Sequence, residues 1–151
     1  MTNELLKIAL TGYFPEANLE EGAQWLNLID APGQFHRMAL QLRQAADLDF
    51  DFLFCMTCVD WKTHLSMVYH LSSTKHRHTL VVKSTLDRSL PEIETVSDIW
   101  RTAEFHEREA YDLFGVRFLK HPDLRRLFLT DEWVGYPMRK DYEDPVNIIK
   151  L

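Results

Sequence analysis

At 151 residues, with 46% hydrophobic and 26% charged side chains, the chain fits one soluble domain able to bury a sizeable core. Its net charge of −6, from 17 basic against 23 acidic residues, excludes a general attraction to nucleic acid or anionic lipid. No apolar run approaches the ~20 residues that span a bilayer, and Met1-Thr2-Asn3-Glu4 lacks the basic start of a secretory signal.

Residues 3 to about 10 predict a short helix capped by Thr2 or Asn3, with Leu5, Leu6, Ala9 and Leu10 on one side. Gly12 and Pro15 are expected to stop it. Residues 24–29 read as a short strand. Asp30 and Pro32 then open a helix with Phe35, Met38, Ala39, Leu42 and Ala45 at helical spacing. Between residues 51 and 61 apolar side chains point both ways, which predicts a strand inside a sheet with both faces at least partly covered. Leu65, Met67, Tyr69 and Leu71 alternate on one face of the next strand. His76 and His78 flank Arg77 in what reads as a solvated turn, and residues 80–83 give a further strand. Two hairpin-like connections in this span predict antiparallel neighbours. Pro91 precedes a helical pattern through Ile93, Val96, Ile99, Trp100 and Ala103.

Residues 107–114 fit one more helix. Arg108 and Asp112 stand four apart and Glu109 three before Asp112, so these charges are expected to be neighbours in a paired, partly buried network. Gly115 suits the left-handed residue that ends a helix. Past Phe118 the pattern changes. Pro122, Gly135, Pro137 and Pro145 forbid a long regular element, yet Leu124, Leu127, Phe128, Leu129, Trp133, Tyr136 and Met138 are too apolar to be left in water. The expected division is a packed domain over residues 1–118 and an extended, irregular docking tail over 119–151. The tail must lie on its own domain or across a partner. Arg125, Arg126, Arg139 and Lys140 favour a partner with acidic groups. Helices before and after a strand cluster make the fold α+β.

Cys55 and Cys58 form a C-x-x-C pair, but on a strand residues three apart point to opposite faces and cannot share one metal. Two cysteines build no disulfide framework, which suggests a reducing compartment and a cytoplasmic chain that meets a membrane only through partners. His106-Glu107 opens like a zinc-protease helix, but Ala110 stands where the second histidine belongs. A metal hydrolase using His106, Glu109, Asp112 and His121 is the reading from a different class, and these residues have no recognised ligand spacing. His70, on a strand, reads as packed or hydrogen-bonded. The five glycines are isolated, so no glycine-rich loop cradles a nucleotide phosphate. The expectation is a chain with no catalytic, cofactor or metal site of its own.

Three blocks stand in order: Glu107-Arg108-Glu109-x-x-Asp112-Leu113-Phe114-Gly115, then His121-Pro122-Asp123-Leu124-Arg125-Arg126, then Gly135-Tyr136-Pro137-x-Arg139-Lys140-Asp141-Tyr142. Together they resemble the signature of the C-type subunit of bacterial NADH:quinone oxidoreductase, respiratory complex I. More loosely, Asp60 closing an apolar strand and residues 68–71 extend the resemblance over roughly residues 50–142. Lys120, Thr130 and Val134 depart from it, standing where the family tends to have Gly, Pro and an acidic residue.

The resemblance implies a two-layer α/β domain with a mixed, largely antiparallel sheet. It also implies a cofactor-free, non-catalytic subunit of a peripheral arm, at the cytoplasmic face of the cell membrane. Its partners would be the large quinone-site subunit, of the D type, and the terminal iron–sulfur subunit, of the B type. FMN and iron–sulfur clusters would belong to the rest of the complex. In this reading Glu107, Arg108, Glu109, Asp112, Gly115, His121, Pro122, Arg125 and Arg126 are structural, while Trp133, Gly135, Tyr136, Pro137, Arg139, Lys140, Asp141 and Tyr142 dock the partner. The equivalent subunit of a membrane-bound nickel–iron hydrogenase or formate hydrogenlyase is the alternative.

Overall fold

Strand alternation decides which face of the sheet is buried. In a computed structural model that describes residues 2–30 and 32–146, five strands form one mixed sheet in the order β1-β2-β5-β4-β3. These are β1 (Asn18–Glu21), β2 (Leu26–Asp30), β3 (Phe52–Asp60), β4 (His64–Ser73) and β5 (His78–Asp87). Four sequence-adjacent or cross-sheet pairings hold it: β1/β2, β3/β4 and β4/β5 are antiparallel and β2/β5 is parallel. Leu65, Met67, Tyr69 and Leu71 of β4 lie opposite Leu86, Ser84, Val82 and Leu80 of β5, all buried. This is the period-two burial expected of β4.

The helices close over that face. They are α1 (Asn3–Tyr13), α2 (Phe35–Gln44, entered through the 3-10 turn Pro32–Gln34) and α3 (Ala103–Phe114). Leu6 and Leu10 of α1 and Phe35, Met38, Ala39 and Leu42 of α2 join the strand residues in one core. Phe35 lies 4.3 Å from Tyr69, ring centre to ring centre. A second, two-stranded parallel sheet pairs β6 (Glu92–Glu94) with β7 (Arg117–Leu119). The fold is α+β, and after β7 the described residues form turns and irregular chain only. The expected division between residues 118 and 119 falls within β7, and residues 147–151 of the expected tail lie outside the described residues.

Four local expectations need correction. First, α1 does not stop at Gly12 but runs through it to Tyr13, closing with the Phe14 N–H on the Leu10 carbonyl. An isolated glycine costs a helix only about 1 kcal/mol. Second, β3 is not inside the sheet but at its edge. Leu53, Met56 and Cys58 face the core, while Phe52 and Phe54 are exposed on the other face. The outward Phe54 ring packs edge-on against Trp25 and beside His70, which produced the apolar signal without a second covering layer. Third, no helix runs from Ile93 to Ala103. Ile93, Val96 and Trp100 are buried as the pattern implied, but residues 92–94 are drawn into the pairing with β7. Fourth, His78 is not solvated: it is 5% exposed in β5 and its Nε2 lies 2.8 Å from the Leu48 carbonyl.

Candidate functional site

The residues singled out in the sequence converge on α3 and the segment wrapped over it. Ala103, Glu107, Ala110 and Phe114 share a buried stripe of α3 at helical spacing, and Arg108 and Asp112 are buried beside it. Gly115 ends the helix with φ +75°, as its type predicts.

The charges of α3 do not pair with one another, as their spacing suggested. Each serves a different neighbour. Arg108 donates from Nε and Nη2 to the carbonyls of Arg125 and Arg126, both at 3.2 Å, and covers the Phe105 ring at 5.6 Å. Glu109 is half-exposed, 4.0 Å from His106. Glu107, wholly buried, accepts from the Thr95 hydroxyl and from the Val96 N–H. Because Arg108 serves carbonyls rather than carboxylates, Arg108→Ala should cost about 2 kcal/mol, the scale of two long charge-assisted bonds and an exposed cation–π contact. Lys75→Ala, in an exposed turn, should cost under about 0.5 kcal/mol. Denaturant unfolding of both variants checks this; equal costs would remove the role of Arg108.

Asp112 is the anchor of the wrapped segment. Its carboxylate is 0% exposed and accepts from Arg126 Nη1 at 2.9 Å and from the N–H groups of Leu127, Phe128 and Leu129 at 3.0, 2.6 and 3.0 Å. Burial alone would raise its pKa, but these donors, the Phe128 N–H foremost, hold it below the usual carboxylate value. Arg126 uses its remaining fork on the carbonyls of Trp133 and Gly135. Tyr136 then lies over Gly115, with Arg126 and Arg139 on its ring at 5.4 and 5.2 Å. The chain proceeds through Pro137. The Met138 N–H bonds to the Leu113 carbonyl, and Arg139 Nε donates to Phe114.

The far end is held by Asp60, at the tip of β3. Arg88 forks onto Asp60 at 3.1 and 2.9 Å and onto Asp141 at 3.1 and 2.7 Å, and the Lys140 N–H reaches Asp60 at 2.8 Å. The Arg88 guanidinium first, then the Lys140 and Lys62 N–H groups, overcome burial and hold Asp60 far below its ordinary pKa. Tyr142 packs on Gly135, whose φ is +89°. The strap from residue 121 to 142 is thus seated on its own domain. Arg88 and Thr95 were missed, because their partners lie 53 and 12 residues away and no local spacing announces such contacts.

Of the positions that depart from the pattern, Lys120 adopts φ +64°, a region that favours the expected glycine. Thr130 accepts the Trp133 N–H, and Val134 is 87% exposed. His121 and Pro122 follow β7 after the single residue Lys120, with His121 against Glu107 and Pro122 exposed. Arg125 bonds the adjacent Asp123 on the surface. The four ligands of the hydrolase reading are not brought together. Asp112 is committed to the strap and His121 to α3, and among the described residues no group of three or more His, Cys, Asp or Glu could hold a metal. Cys55 and Cys58 lie on opposite faces of β3 as free thiols, and burial pushes the Cys58 thiol up to about 12.

Comparison with known proteins puts this arrangement in a family. Residues 29–146 match the family described as the 30 Kd subunit of respiratory-chain NADH dehydrogenase. The C/D subunit of NADH-quinone oxidoreductase from Phocaeicola vulgatus is 48% identical over 126 residues, covering 82% of this chain and 24% of that protein. The C subunit from Moorella thermoacetica is 37% identical over 131 residues, covering 85% of this chain and 87% of that one. The chain therefore spans about a quarter of the C/D relatives, and most of some C-subunit relatives. The solved trypsin-resistant fragment of Nqo5 superposes with a TM-score of 0.70 at 26% identity, covering 80% of this chain and 98% of the fragment. A chain of an archaeal membrane-bound sulfane sulfur reductase shares the fold, with a TM-score of 0.80 at 24% identity. The chain belongs to the 30 kDa subunit family of respiratory-chain NADH dehydrogenase, the C-subunit family of NADH-quinone oxidoreductase.

Proposed function

We propose that this family member is a cofactor-free supporting subunit of NADH-quinone oxidoreductase, and that its strap docks the large quinone-site subunit of the D type. In this reading the neighbouring subunits carry FMN and iron–sulfur clusters, oxidise NADH, reduce the quinone and move protons. The terminal iron–sulfur subunit of the B type lies nearby, and the whole arm sits on the cytoplasmic face of the membrane. Among the described residues no helix is long and apolar enough to cross a membrane, so attachment would run through partners.

The observation that carries the docking role is the strap itself. Asp112 and Asp60 grip it from inside, yet Phe128, Val134 and Met138 stand 65%, 87% and 55% exposed on its outside. Polar groups that hold a segment from within while apolar side chains face out leave a preformed surface for a partner, at little ordering cost. The C/D relatives, named for two subunits in one polypeptide, support proximity to a D-type partner. The relatives' names favour the NADH-quinone assignment over a hydrogenase.

Removing everything after Leu119 would strip the buried Asp112 carboxylate of Arg126 and of the Leu127, Phe128 and Leu129 N–H groups, and Asp60 of the Lys140 N–H, so truncation tests the fold rather than the docking. Outward substitutions separate the two. Phe128→Glu with Met138→Glu should leave circular dichroism and the melting midpoint unchanged but cut co-purification with the D-type subunit by at least about tenfold, since each buried apolar anchor is worth about 1.5–3 kcal/mol. Undiminished co-purification with an intact fold would overturn the role of the strap.

A further inference from the structure

Trp61 is an exposed aromatic outside the strap. It stands 56% exposed at the tip of the β3–β4 hairpin, although a side chain of this kind ordinarily hides most of its surface. The tip that carries it is locked. The Trp61 N–H bonds to the His64 carbonyl at 3.0 Å, and the Lys62 N–H to Asp60 Oδ1 at 2.7 Å. Lys62 adopts φ +69°, a conformation that persists for a residue with a Cβ only where its surroundings impose it. The His64 ring stacks on the indole at 6.3 Å, with 24° between the planes, and is itself held by the Thr63 hydroxyl at 2.9 Å. An indole fixed in this way loses little freedom when it enters a partner.

The tip is joined to the strap through one carboxylate. Asp60 takes the Lys62 N–H on Oδ1 and the Lys140 N–H on Oδ2, while Arg88 forks between Asp60 and Asp141. Trp61 is next to Asp60 in the chain, and the exposed Met138 stands three residues before Asp141, so each lies within about 10 Å of chain from this clasp. Lys62 and Lys140 give Asp60 only their backbones. Both residues are exposed, and among the described residues neither ammonium has a salt bridge. In a chain of net charge −6, the tip thus carries a local positive rim around an aromatic centre.

We propose that the hairpin tip is a second anchor of the docking site formed by the strap: Trp61 enters an apolar pocket of the D-type subunit whose rim carries carboxylates for Lys62 and Lys140. The identity of the partner rests on the strap's proposed role. A partner seated there touches sheet and strap together, and Arg88 keeps the two in register. The charges select the rim. A basic rim would repel both lysines, and a wholly apolar one would desolvate two ammonium groups without a counter-charge. A buried aromatic surrounded by polar groups is the usual composition of an interface hot spot.

The test is residue-level oxidative footprinting of the full chain, free and bound to the D-type subunit, paired with co-purification of variants. Trp61 should be oxidised readily in the free chain and shielded in the complex. Phe52, 47% exposed at the other end of β3, should be oxidised equally in both. Trp61→Ala should leave the melting midpoint unchanged and cut co-purification by at least about tenfold. Lys62→Glu with Lys140→Glu should slow association and remove most of its salt dependence; an unchanged salt dependence would overturn the acidic rim. Phe128→Glu with Met138→Glu separates the tip from the strap. Binding lost in that pair alone, with Trp61 still oxidised in the complex, would overturn the tip and leave the strap standing. Binding lost in Trp61→Ala alone would support the tip and overturn the strap. If Trp61→Ala does not fold, the footprint decides alone.

Discussion

Asp112→Ala should lower the melting midpoint of this chain by on the order of 10 °C. Four donors meet on the carboxylate: the Arg126 guanidinium and three successive N–H groups from Leu127 to Leu129. Removing it leaves Arg126, whose side chain is 12% exposed, without a counter-charge, and leaves three N–H groups with no acceptor. Breaking a buried pair from one side costs about 3–5 kcal/mol, and for a domain of this size each kcal/mol moves the midpoint by about 2–4 °C. Asp112→Asn should lose nearly as much, because its NH2 would face donors. The pH sign follows from the depressed pKa. The contribution is complete above about pH 4, the ordinary carboxylate value, and is lost as pH falls through the folded pKa. The acid limb of wild-type stability should therefore be shallower in Asp112→Asn. Native-state trypsin digestion adds a local readout, since a released strap would free the part-buried Arg126 and Arg139 for cleavage. A midpoint shift under about 2 °C with an uncut strap would show that Asp112 does not hold it.

The elements that could be read from the chain are those whose local pattern and tertiary environment agree. β4 alternates because one face is core, and α3 ends at Gly115 because a left-handed residue is needed there. Where long-range pairing competes with local periodicity, periodicity loses. The spacing of Ile93, Val96, Ile99, Trp100 and Ala103 fits a helix, but β7 offers residues 92–94 backbone partners that lie 25 positions away, as in Ile93 with Phe118. The apolar run of β3 could not distinguish a central strand from an edge whose outer aromatics pack on Trp25 and His70. The charged block of α3 was readable as buried and paired, but its partners were not. Spacing along one helix points to Arg108 and Asp112 as mates, whereas each has a better acceptor or donor in the strap, 14 to 18 residues on. A side-chain pair on one helix face is worth only about 0.2–0.5 kcal/mol, far less than satisfying a buried carboxylate or carbonyl.

Gly115→Ala should cost about 3 kcal/mol, from two separable sources that meet at the joint between helix and strap. The backbone at φ +75° is strained for any residue with a Cβ, by about 1–2 kcal/mol. A Cβ there would also stand 2.5 Å from the Tyr136 ring, which cannot move freely because Arg126 and Arg139 cover it and the strap is tied at Met138. Forcing an extra carbon into a packed contact adds about 1–3 kcal/mol. A double-mutant cycle separates the two. With Tyr136→Ala already in place, the added methyl meets no ring, so Gly115→Ala should cost only the backbone share, about 1 kcal/mol. An interaction energy near 2 kcal/mol between the two positions would place the strap rigidly on the helix end, where its outer face is presented as one surface with the domain. Equal costs of Gly115→Ala in both backgrounds would show that the ring gives way, and that the strap is pinned only by Asp112 and Asp60.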